Sequence, residues 1–270
     1  MLPPYSCPLC KHPLYANQQG LSCVNGHQFD RARQGYFNLL PVQHKKSKQP
    51  GDNLEMVRAR RDFLQSGHYQ PLAKWLHQLS QQLQPQLALD IGCGEGYYSH
   101  HMQQGLQSGQ LVGLDISKEM IRLASKQYPK QNWLVGSSKL LPFDDQQIDL
   151  LCCIFSFYQL DELLRVLKPG GQLIWVNADQ RHLWQLRERL YPEVHTKECS
   201  LPAELIQHFH IQKQESLHWQ IQLNKDQALA LMKMTPHYWR AKKERREQAS
   251  QGGFDKLEVA VKTWLMTKLA

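Results

Sequence analysis

Four side chains near the start of the chain have the types and the spacing of a zinc site. They are three cysteines and one histidine, in the pattern Cys7-x2-Cys10-x12-Cys23-x3-His27. Three thiolates and one imidazole can close a tetrahedral shell around Zn²⁺, and two short-spaced ligand pairs joined by a loop suit that geometry. Because no further thiol lies within the first 40 residues, the pattern favours a closed structural site over an open catalytic one.

A glycine-rich segment indicates a nucleotide-like cofactor. It reads Asp90-Ile-Gly-Cys-Gly-Glu-Gly96, and its glycines permit a tight turn and a close approach of the backbone to a ligand. Asp115 ends the next predicted strand, the usual place for a carboxylate that accepts hydrogen bonds from both ribose hydroxyls. The spacing lacks the G-x-G-x-x-G fingerprint of pyrophosphate binding, so the pattern favours S-adenosylmethionine. The alternative is an unrelated glycine turn.

The composition is that of an ordinary soluble globular protein with a basic surplus. The 270 residues are 41% hydrophobic and 21% charged, and neither an apolar run of membrane-spanning length nor a secretion signal is evident. The formal net charge of +8 favours a polyanionic partner such as nucleic acid, although many basic proteins have none. The scattered remaining cysteines predict reduced thiols and hence a cytoplasmic protein, and the lack of a long apolar run predicts no contact with a membrane. They are Cys93, Cys152, Cys153 and Cys199.

Three regions follow one another along the chain. Residues 1–40 hold the zinc ligands, residues 41–67 form a basic linker, and residues 68–270 alternate strand-like with helix-like segments. Repeated strand–helix units predict an α/β fold: a doubly wound, mostly parallel, Rossmann-like sheet, preceded by a small zinc-binding domain. The predicted strands cover residues 87–91, 110–115, 133–135, 148–155 and 173–176. The predicted helices begin near Asp52 or Asn53 and near Tyr97, and cover residues 118–128 and 160–167.

Further motifs accompany the glycine segment. They are Gly113-Leu-Asp-Ile-Ser117, Leu141-Pro-Phe-Asp144 with Ile148-Asp149-Leu150, and Leu164-Arg-Val-Leu-Lys-Pro-Gly-Gly171. Over residues 87–178 the chain resembles the class I S-adenosylmethionine-dependent methyltransferases. The resemblance is specific for fold and cofactor and says little about the substrate. It implies that Asp90 and Gly92 border the methionine moiety, that Asp115 holds the ribose, and that Ser137 and Ser138 lie near the adenine.

A second set of motifs runs from the zinc ligands to the C-terminal region. It includes Cys7-Pro-Leu-Cys10, His27-Gln-Phe-Asp30, Ala59-Arg-Arg61, Gly67-His-Tyr-Gln-Pro-Leu72, Arg181-His-Leu183 and Met234-Thr-Pro236. From end to end the chain resembles the RlmA-type 23S rRNA (guanine-N1-)-methyltransferases. This resemblance implies that Tyr69, Gly94, Glu95 and His182 also contact the cofactor. It further implies a homodimer whose substrate is a 23S rRNA hairpin loop. Residues 151–159 depart from the family pattern, which has a proline after the strand.

The chemistry implied by this resemblance needs alignment more than covalent catalysis, because the sulfonium methyl is already activated. Guanine N1 carries a proton at neutral pH, so a positioned proton acceptor would help. Asp161 and His182 both follow predicted strands. Asp161 is better explained by the first turn or cap of a helix, and His182 by cofactor contact. The sequence therefore identifies no catalytic residue.

Aromatic and basic segments each have two interpretations. The residues Phe155, Phe157 and Tyr158 follow the fourth strand. Their rings either stack on an extruded guanine or fill the core under a loop.

Six cations of the linker either meet RNA phosphates or form a solvated face. They are Lys45, Lys46, Lys48, Arg58, Arg60 and Arg61. Residues 240–246 predict a second exposed basic helix, with Trp239 preferred as a core anchor over a stacking partner for RNA.

Three functions account for these features to different extents. We expect an rRNA methyltransferase that makes N1-methylguanine and uses the zinc-binding module for RNA recognition. A small-molecule methyltransferase explains the cofactor motifs but neither the zinc ligands nor the basic linker. A nonenzymatic RNA-binding protein with a vestigial cofactor site is disfavoured, because Gly92, Gly94 and Asp115 are all in place.

Overall fold

The computed structural model describes residues 2–41, 54–196 and 198–269. Several predictions for the linker therefore lie outside the described residues. They concern Lys45, Lys46, Lys48, the turn at residues 50–52 and a helix cap at Asp52 or Asn53. A small antiparallel sheet of β1 (Tyr15–Ala16), β2 (Gly20–Ser22) and β3 (Gln28–Asp30) lies beside the zinc pattern. Cys7 and Cys10 precede β1, and Cys23 and His27 lie between β2 and β3.

A larger sheet of eight described strands forms the centre of the molecule, in the order β10-β11-β9-β8-β5-β6-β7-β4. Its strands are β4 (Phe37–Asn38), β5 (Leu87–Ile91), β6 (Gln110–Asp115), β7 (Asn132–Val135), β8 (Ile148–Ile154), β9 (Leu167–Ala178), β10 (Phe209–Leu223) and β11 (Phe254–Lys268). The strands from β4 to β9 are parallel, and β11 is antiparallel to both its neighbours. The predicted α/β fold with a mostly parallel sheet is confirmed.

Helices connect these strands. They are α1 (Leu54–Gln65), α2 (Gln70–Leu83), α3 (Tyr97–Gly105), α4 (Lys118–Gln127), α5 (Leu160–Val166), α6 (Trp184–Leu190), α7 (Ala203–His208), α8 (Lys225–Met234), α9 (Pro236–Arg240) and α10 (Lys243–Ala249). The start of α4 is fixed by Ser117, whose hydroxyl accepts a hydrogen bond from the Met120 amide at 3.3 Å. Among the helices of the described residues, none has the length and apolar character needed to cross a membrane.

Three predicted helices differ from the observed ones. Helix α4 ends at Gln127, one residue before the predicted end at Tyr128. Helix α5 ends at Val166, one residue early, because Leu167 already pairs with Ile148 and a bulge separates it from the next pair, Gln172 with Leu150. Pro169 lies inside this bulge, where the missing amide proton does no harm. The basic stretch at 240–246 is divided between α9 and α10, since the backbone between them is extended.

The zinc-binding module is attached to the main sheet. Strand β4 pairs with β7, and the Leu39 amide donates to the Val135 carbonyl at 2.9 Å. The Tyr5 ring packs edge-on against Phe37 and Phe143, with centroids 6.3 and 5.7 Å away. These side chains belong to the same buried cluster as the strands of the large sheet. The module and the sheet therefore share one core.

We predict that Phe37→Ala destabilises the whole chain and not only the module. The substitution leaves a void between Tyr5 and the sheet and should cost about 3–5 kcal/mol in the free energy of unfolding. Tyr15→Ala is the matched control, because Tyr15 lies in the same module but is 59% exposed. It should cost no more than ~0.5 kcal/mol. Urea unfolding of the zinc-loaded proteins measures both, and equal losses would contradict a shared core.

Candidate functional site

A cavity of about 290 Å³ lies at the carboxyl ends of β5, β8 and β9. Its floor is the glycine loop that follows β5, and its far wall is the segment joining α8 to α9. The lining residues are Arg60, Leu64, Tyr69, Gly92, Cys93, Gly94, Glu95, Tyr98, Ile154, Phe155, Asn177, Ala178, His182, Leu183, Met234, Thr235, Pro236 and His237. Five of the predicted cofactor contacts thus surround one space: Tyr69, Gly92, Gly94, Glu95 and His182.

The loop after β5 has glycine at two positions where a Cβ atom would collide with neighbouring side chains, Gly92 and Gly96. Gly92 has a φ of +75°, and a Cβ atom there would stand 2.5 Å from the Cβ of Ser156. Gly96 has a φ of +85°, and a Cβ atom would meet the Trp133 ring at 2.3 Å. At Gly94 an added Cβ would have one neighbour within 4 Å among the described residues, the Arg60 Nη1 at 3.9 Å. The loop is therefore tightly packed at both ends and open to the cavity in the middle.

Asp90 lies beneath this loop with one unsatisfied oxygen. Its side chain is 2% exposed, and Oδ2 accepts a hydrogen bond from the Ser99 hydroxyl at 2.6 Å. Oδ1 is buried and has no hydrogen-bond partner among the described residues. Burial raises the pKa of Asp90 to about 7, and the hydrogen bond from Ser99 opposes this rise. A buried acceptor of this kind fits a ligand that brings a donor.

Asp115 connects the end of β6 to the loop. Its Oδ2 accepts a hydrogen bond from the Gly94 amide at 2.9 Å, and its Oδ1 accepts one from the Ser117 amide at 2.8 Å. Ser137 follows β7 and does not line the cavity, and its hydroxyl accepts a hydrogen bond from the Lys139 amide at 3.2 Å.

Tyr69 and His182 form a hydrogen-bonded pair in the cavity wall. Nδ1 of His182 donates to the Ala260 carbonyl at 2.9 Å, so Nε2 is free to accept the Tyr69 hydroxyl at 3.3 Å. Burial lowers the pKa of His182 to about 4 and raises the pKa of Tyr69. Both side chains are therefore uncharged at neutral pH. Because both ring nitrogens of His182 are engaged, the geometry disfavours this residue as a general base.

The aromatic residues after β8 separate into two kinds. Phe155 and Phe157 are 41% and 93% exposed, which excludes the core interpretation for both. Phe155 has a φ of +53° and its ring lies 6.0 Å from that of His182, in the cavity wall. Tyr158 is half-buried against the core and its hydroxyl donates to Glu204 at 2.8 Å. Phe155 is thus the aromatic side chain of this segment that a ligand in the cavity can touch.

Two other residues with open interpretations have structural roles. Asp161 is exposed in the first turn of α5, where a carboxylate suits the helix dipole. Trp239 is half-buried, and its indole nitrogen donates to the Lys233 carbonyl at 2.8 Å, which ties α9 to the last turn of α8.

Sequence reasoning missed Asn177 and His237 in the cavity wall. The Tyr191 hydroxyl lies 3.3 Å from the His237 carbonyl and 3.1 Å from its Nδ1. Since a hydroxyl has one proton and a carbonyl only accepts, Nδ1 must donate to Tyr191 for both bonds to form. Burial, followed by the charges of Arg187 and Arg240, lowers the pKa of His237 to about 4. The nearby Met234-Thr-Pro236 motif was visible, but its position opposite the glycine loop depends on the fold.

The four predicted zinc ligands converge in the N-terminal module. Their side-chain ligand atoms all lie within 4.8 Å of one another. The Cys10 and Cys23 sulfurs are 3.6 Å apart, and Nδ1 of His27 lies 3.5 Å from the Cys7 sulfur and 3.4 Å from that of Cys23. Zn–S and Zn–N bonds of about 2.3 and 2.0 Å in a tetrahedron separate neighbouring ligands by roughly 3.5–3.8 Å. The cluster fits a closed zinc site.

Two family models match separate parts of the chain. The model described as "RlmA, N-terminal" matches residues 5–48, and the model described as "Methyltransferase domain" matches residues 89–175. The first range contains the zinc-ligand cluster, and the second contains the glycine loop together with Asp115.

Relatives match nearly the whole chain. A 23S rRNA (guanine(748)-N(1))-methyltransferase of Streptomyces fradiae is 33% identical over 240 residues, covering 86% of this chain and 85% of the relative. A putative 23S rRNA (guanine-N(1)-)-methyltransferase of Micromonospora griseorubida is 30% identical over 262 residues, covering 88% of each chain. A protein of Bacillus subtilis (strain 168), described as putative 23S rRNA (guanine-N(1)-)-methyltransferase YxjB, is 29% identical and covers 89% of each chain.

We predict that Cys10→Ser loses the metal whereas Cys199→Ser keeps it. Cys199 is a matched control because it is a half-buried free thiol outside the cluster. Elemental analysis should find about one zinc ion per chain in the unaltered protein and in the control. Replacement of zinc by Co²⁺ should give the absorption bands of a tetrahedral thiolate site in those two proteins. Equal metal content in both variants would contradict the assignment of Cys10 as a ligand.

Proposed function

Because this chain belongs to the family of 23S rRNA (guanine-N1-)-methyltransferases, we propose that it transfers a methyl group from S-adenosylmethionine to N1 of a guanine in a 23S rRNA hairpin loop. The observation that carries the proposal is the extent of the match. The two relatives cover 86% and 88% of the chain, and the matched models include both the zinc-binding module and the cofactor domain. A small-molecule methyltransferase, the alternative, would need only the second of these.

The cavity fits S-adenosylmethionine, which supplies an already activated methyl group. In this proposal the Asp115 carboxylate, at the end of β6, accepts hydrogen bonds from the ribose hydroxyls, and the open backbone at Gly94 lies against the ligand. The orphaned Oδ1 of Asp90 accepts a hydrogen bond from the methionine moiety. The proposed cofactor contacts are Tyr69, Asp90, Gly92, Gly94, Glu95, Asp115, Ser137 and His182.

The guanine would enter from the ends of β8 and β9. Phe155 offers a ring face in the cavity on which an extruded base can stack, a contact worth ~1–3 kcal/mol. Phe157, almost fully exposed two residues later, extends the apolar surface outward. Alignment of the base behind the methyl group is the main contribution to catalysis in this proposal. His182 stays neutral and orients Tyr69, and it receives no role as a base.

The proposal divides the chain between recognition and catalysis. Residues 1–40 bind RNA through the zinc-stabilised module, residues 41–67 form a basic linker, and residues 68–270 form the methyltransferase domain. Exposed cations on α1 and before α10, such as Arg58 and Lys242, can meet phosphates on the same rRNA. We further propose a homodimer that acts in the cytoplasm, where reduced cysteines persist. All seven cysteines lie in the described residues and have free thiols.

The test is methylation of 23S rRNA that lacks the modification. With labelled S-adenosylmethionine, the protein should label a single guanine, and reverse transcription should halt there because N1 methylation blocks the pairing edge. Asp115→Ala should bind the RNA normally but lose at least ~100-fold in methylation, since it removes the ribose acceptor. Label confined to small molecules would support the alternative function, and cofactor binding without turnover would contradict both.

We predict that cofactor binding releases a proton from Asp90. With a pKa of about 7, roughly half of the unliganded chains hold this side chain protonated at pH 7. A cationic ammonium group near Oδ1 favours the carboxylate, so the bound pKa is lower and affinity rises as pH increases from 6 to 8. Calorimetry of S-adenosylhomocysteine at pH 7, in buffers of different ionisation enthalpy, should show release of up to about half a proton.

The matched variant for this titration is Asp90→Asn, which has the same shape and no proton to lose. This variant should bind S-adenosylhomocysteine more weakly than the unaltered protein and should release no proton on binding. If the asparagine variant released as many protons as the unaltered protein, another group would be responsible and the role of Asp90 would be wrong.

A further inference from the structure

The charged groups around the cofactor cavity are unequally distributed. Glu95 lies in its wall, and Asp90 and Asp115 lie directly behind the glycine loop. The two histidines of the wall are neutral because their pKa values are lowered to about 4. Among the described residues that line the cavity, Arg60 is the one side chain with a permanent positive charge.

Arg60 lies opposite the open part of the glycine loop. Its Nη2 donates to the Met234 carbonyl at 3.5 Å, and its Nη1 is 3.9 Å from the point where a Cβ atom of Gly94 would stand. The guanidinium group therefore bridges the space between the loop and the far wall. A ligand that rests on Gly94 must pass within reach of it.

Helix α1 holds this side chain in place. Its buried residues Val57, Phe63 and Leu64 face the protein, and the latter two share a core cluster with Leu231 and Met232 of α8. An ion pair of 2.6 Å between Glu55 and Lys233 ties the same two helices together. Packing against α8 thus fixes the angle at which Arg60 enters the cavity.

S-adenosylmethionine carries one anionic group, the α-carboxylate of its methionine moiety. A carboxylate taken out of water without a partner is strongly disfavoured, so the protein must supply donors or a cation. The acidic groups near the loop suit the ammonium and the ribose hydroxyls, and repel the carboxylate. We propose that Arg60 binds the α-carboxylate of the cofactor through its planar, two-pronged guanidinium group.

This assignment rests on the cofactor and is independent of which RNA is methylated. It makes α1, which lies within the linker region of residues 41–67, part of the cofactor site. In this proposal the α-carboxylate of the cofactor links Arg60 of α1 to the glycine loop, and the Met234 carbonyl links Arg60 to the far wall of the cavity. Cofactor occupancy therefore stabilises the contact between the loop, α1 and α8.

The test is a double-mutant cycle between the protein and its ligand. One ligand is S-adenosylhomocysteine, and the other is its decarboxylated analogue, 5′-S-(3-aminopropyl)-5′-thioadenosine, which keeps the ammonium group. Calorimetry of the full-length, zinc-loaded protein gives both dissociation constants. The unaltered protein should prefer S-adenosylhomocysteine by about 10-fold or more, and Arg60→Gln should reduce that preference to less than about 3-fold.

Arg61→Gln is the matched control. Arg61 is the next residue of α1, pairs with Asp62 at 2.7 Å and does not line the cavity, so this variant should keep the full preference. A ratio of constants is insensitive to partial unfolding, since both ligands report on the same folded fraction. If Arg60→Gln retains the original ratio, including the case in which both ligands weaken equally, the proposal is overturned. Failure of the unaltered protein to bind either ligand would instead refute the cofactor assignment itself.

Discussion

The position of the glycine loop depends on one indole ring. Trp133 of β7 occupies the space in which Cβ atoms on Gly96 and Gly113 would stand, with ring atoms 2.3 Å from either point. The ring therefore keeps the loop at a set distance from β6. At that distance the Gly94 amide reaches the Asp115 carboxylate at 2.9 Å. Side chains on either glycine would push the loop outward and separate the Gly94 amide from the Asp115 carboxylate.

The same strand links the cofactor site to the zinc-binding module. Strand β7 pairs with β6 on one side and with β4 on the other. Strand β4 has two residues, too few to hold the zinc-binding module on the sheet by hydrogen bonds alone. The cluster of Tyr5, Phe37 and Phe143 supplies the apolar contact between the module and the sheet. A module of this size buries too little surface to order itself, so zinc coordination contributes directly to the surface that docks on β7. Strand β7 thus pairs with the zinc-binding module at one edge and, at the other, with β6, the strand that ends in Asp115.

The sequence identified those elements whose local pattern matches their environment. Strand β5 is apolar except for Asp90 and is wholly buried, and its bounds were predicted correctly. Strands β10 and β11 were missed, since β10 lies at the sheet edge, where exposed polar residues interrupt any apolar run. The zinc ligands form a local pattern, whereas the cavity joins distant segments. Arg60 and His237 both line the cavity, but the sequence around each of them gives no sign of this position. Tyr69 and His182 were found only through family resemblance.

The distribution of charge in the cavity suits methyl transfer from a sulfonium. The sulfonium loses its positive charge as the methyl group is transferred. A carboxylate in contact with the sulfonium would therefore stabilise the ground state more than the transition state and would slow the transfer. Asp90 and Asp115 lie behind the loop, each already accepting hydrogen bonds from Ser99 or backbone amides. The ends of β8 and β9 present the uncharged Phe155 and Asn177 instead. The side chains at these two strand ends are therefore uncharged, whereas Asp90 and Asp115 lie on the other side of the glycine loop.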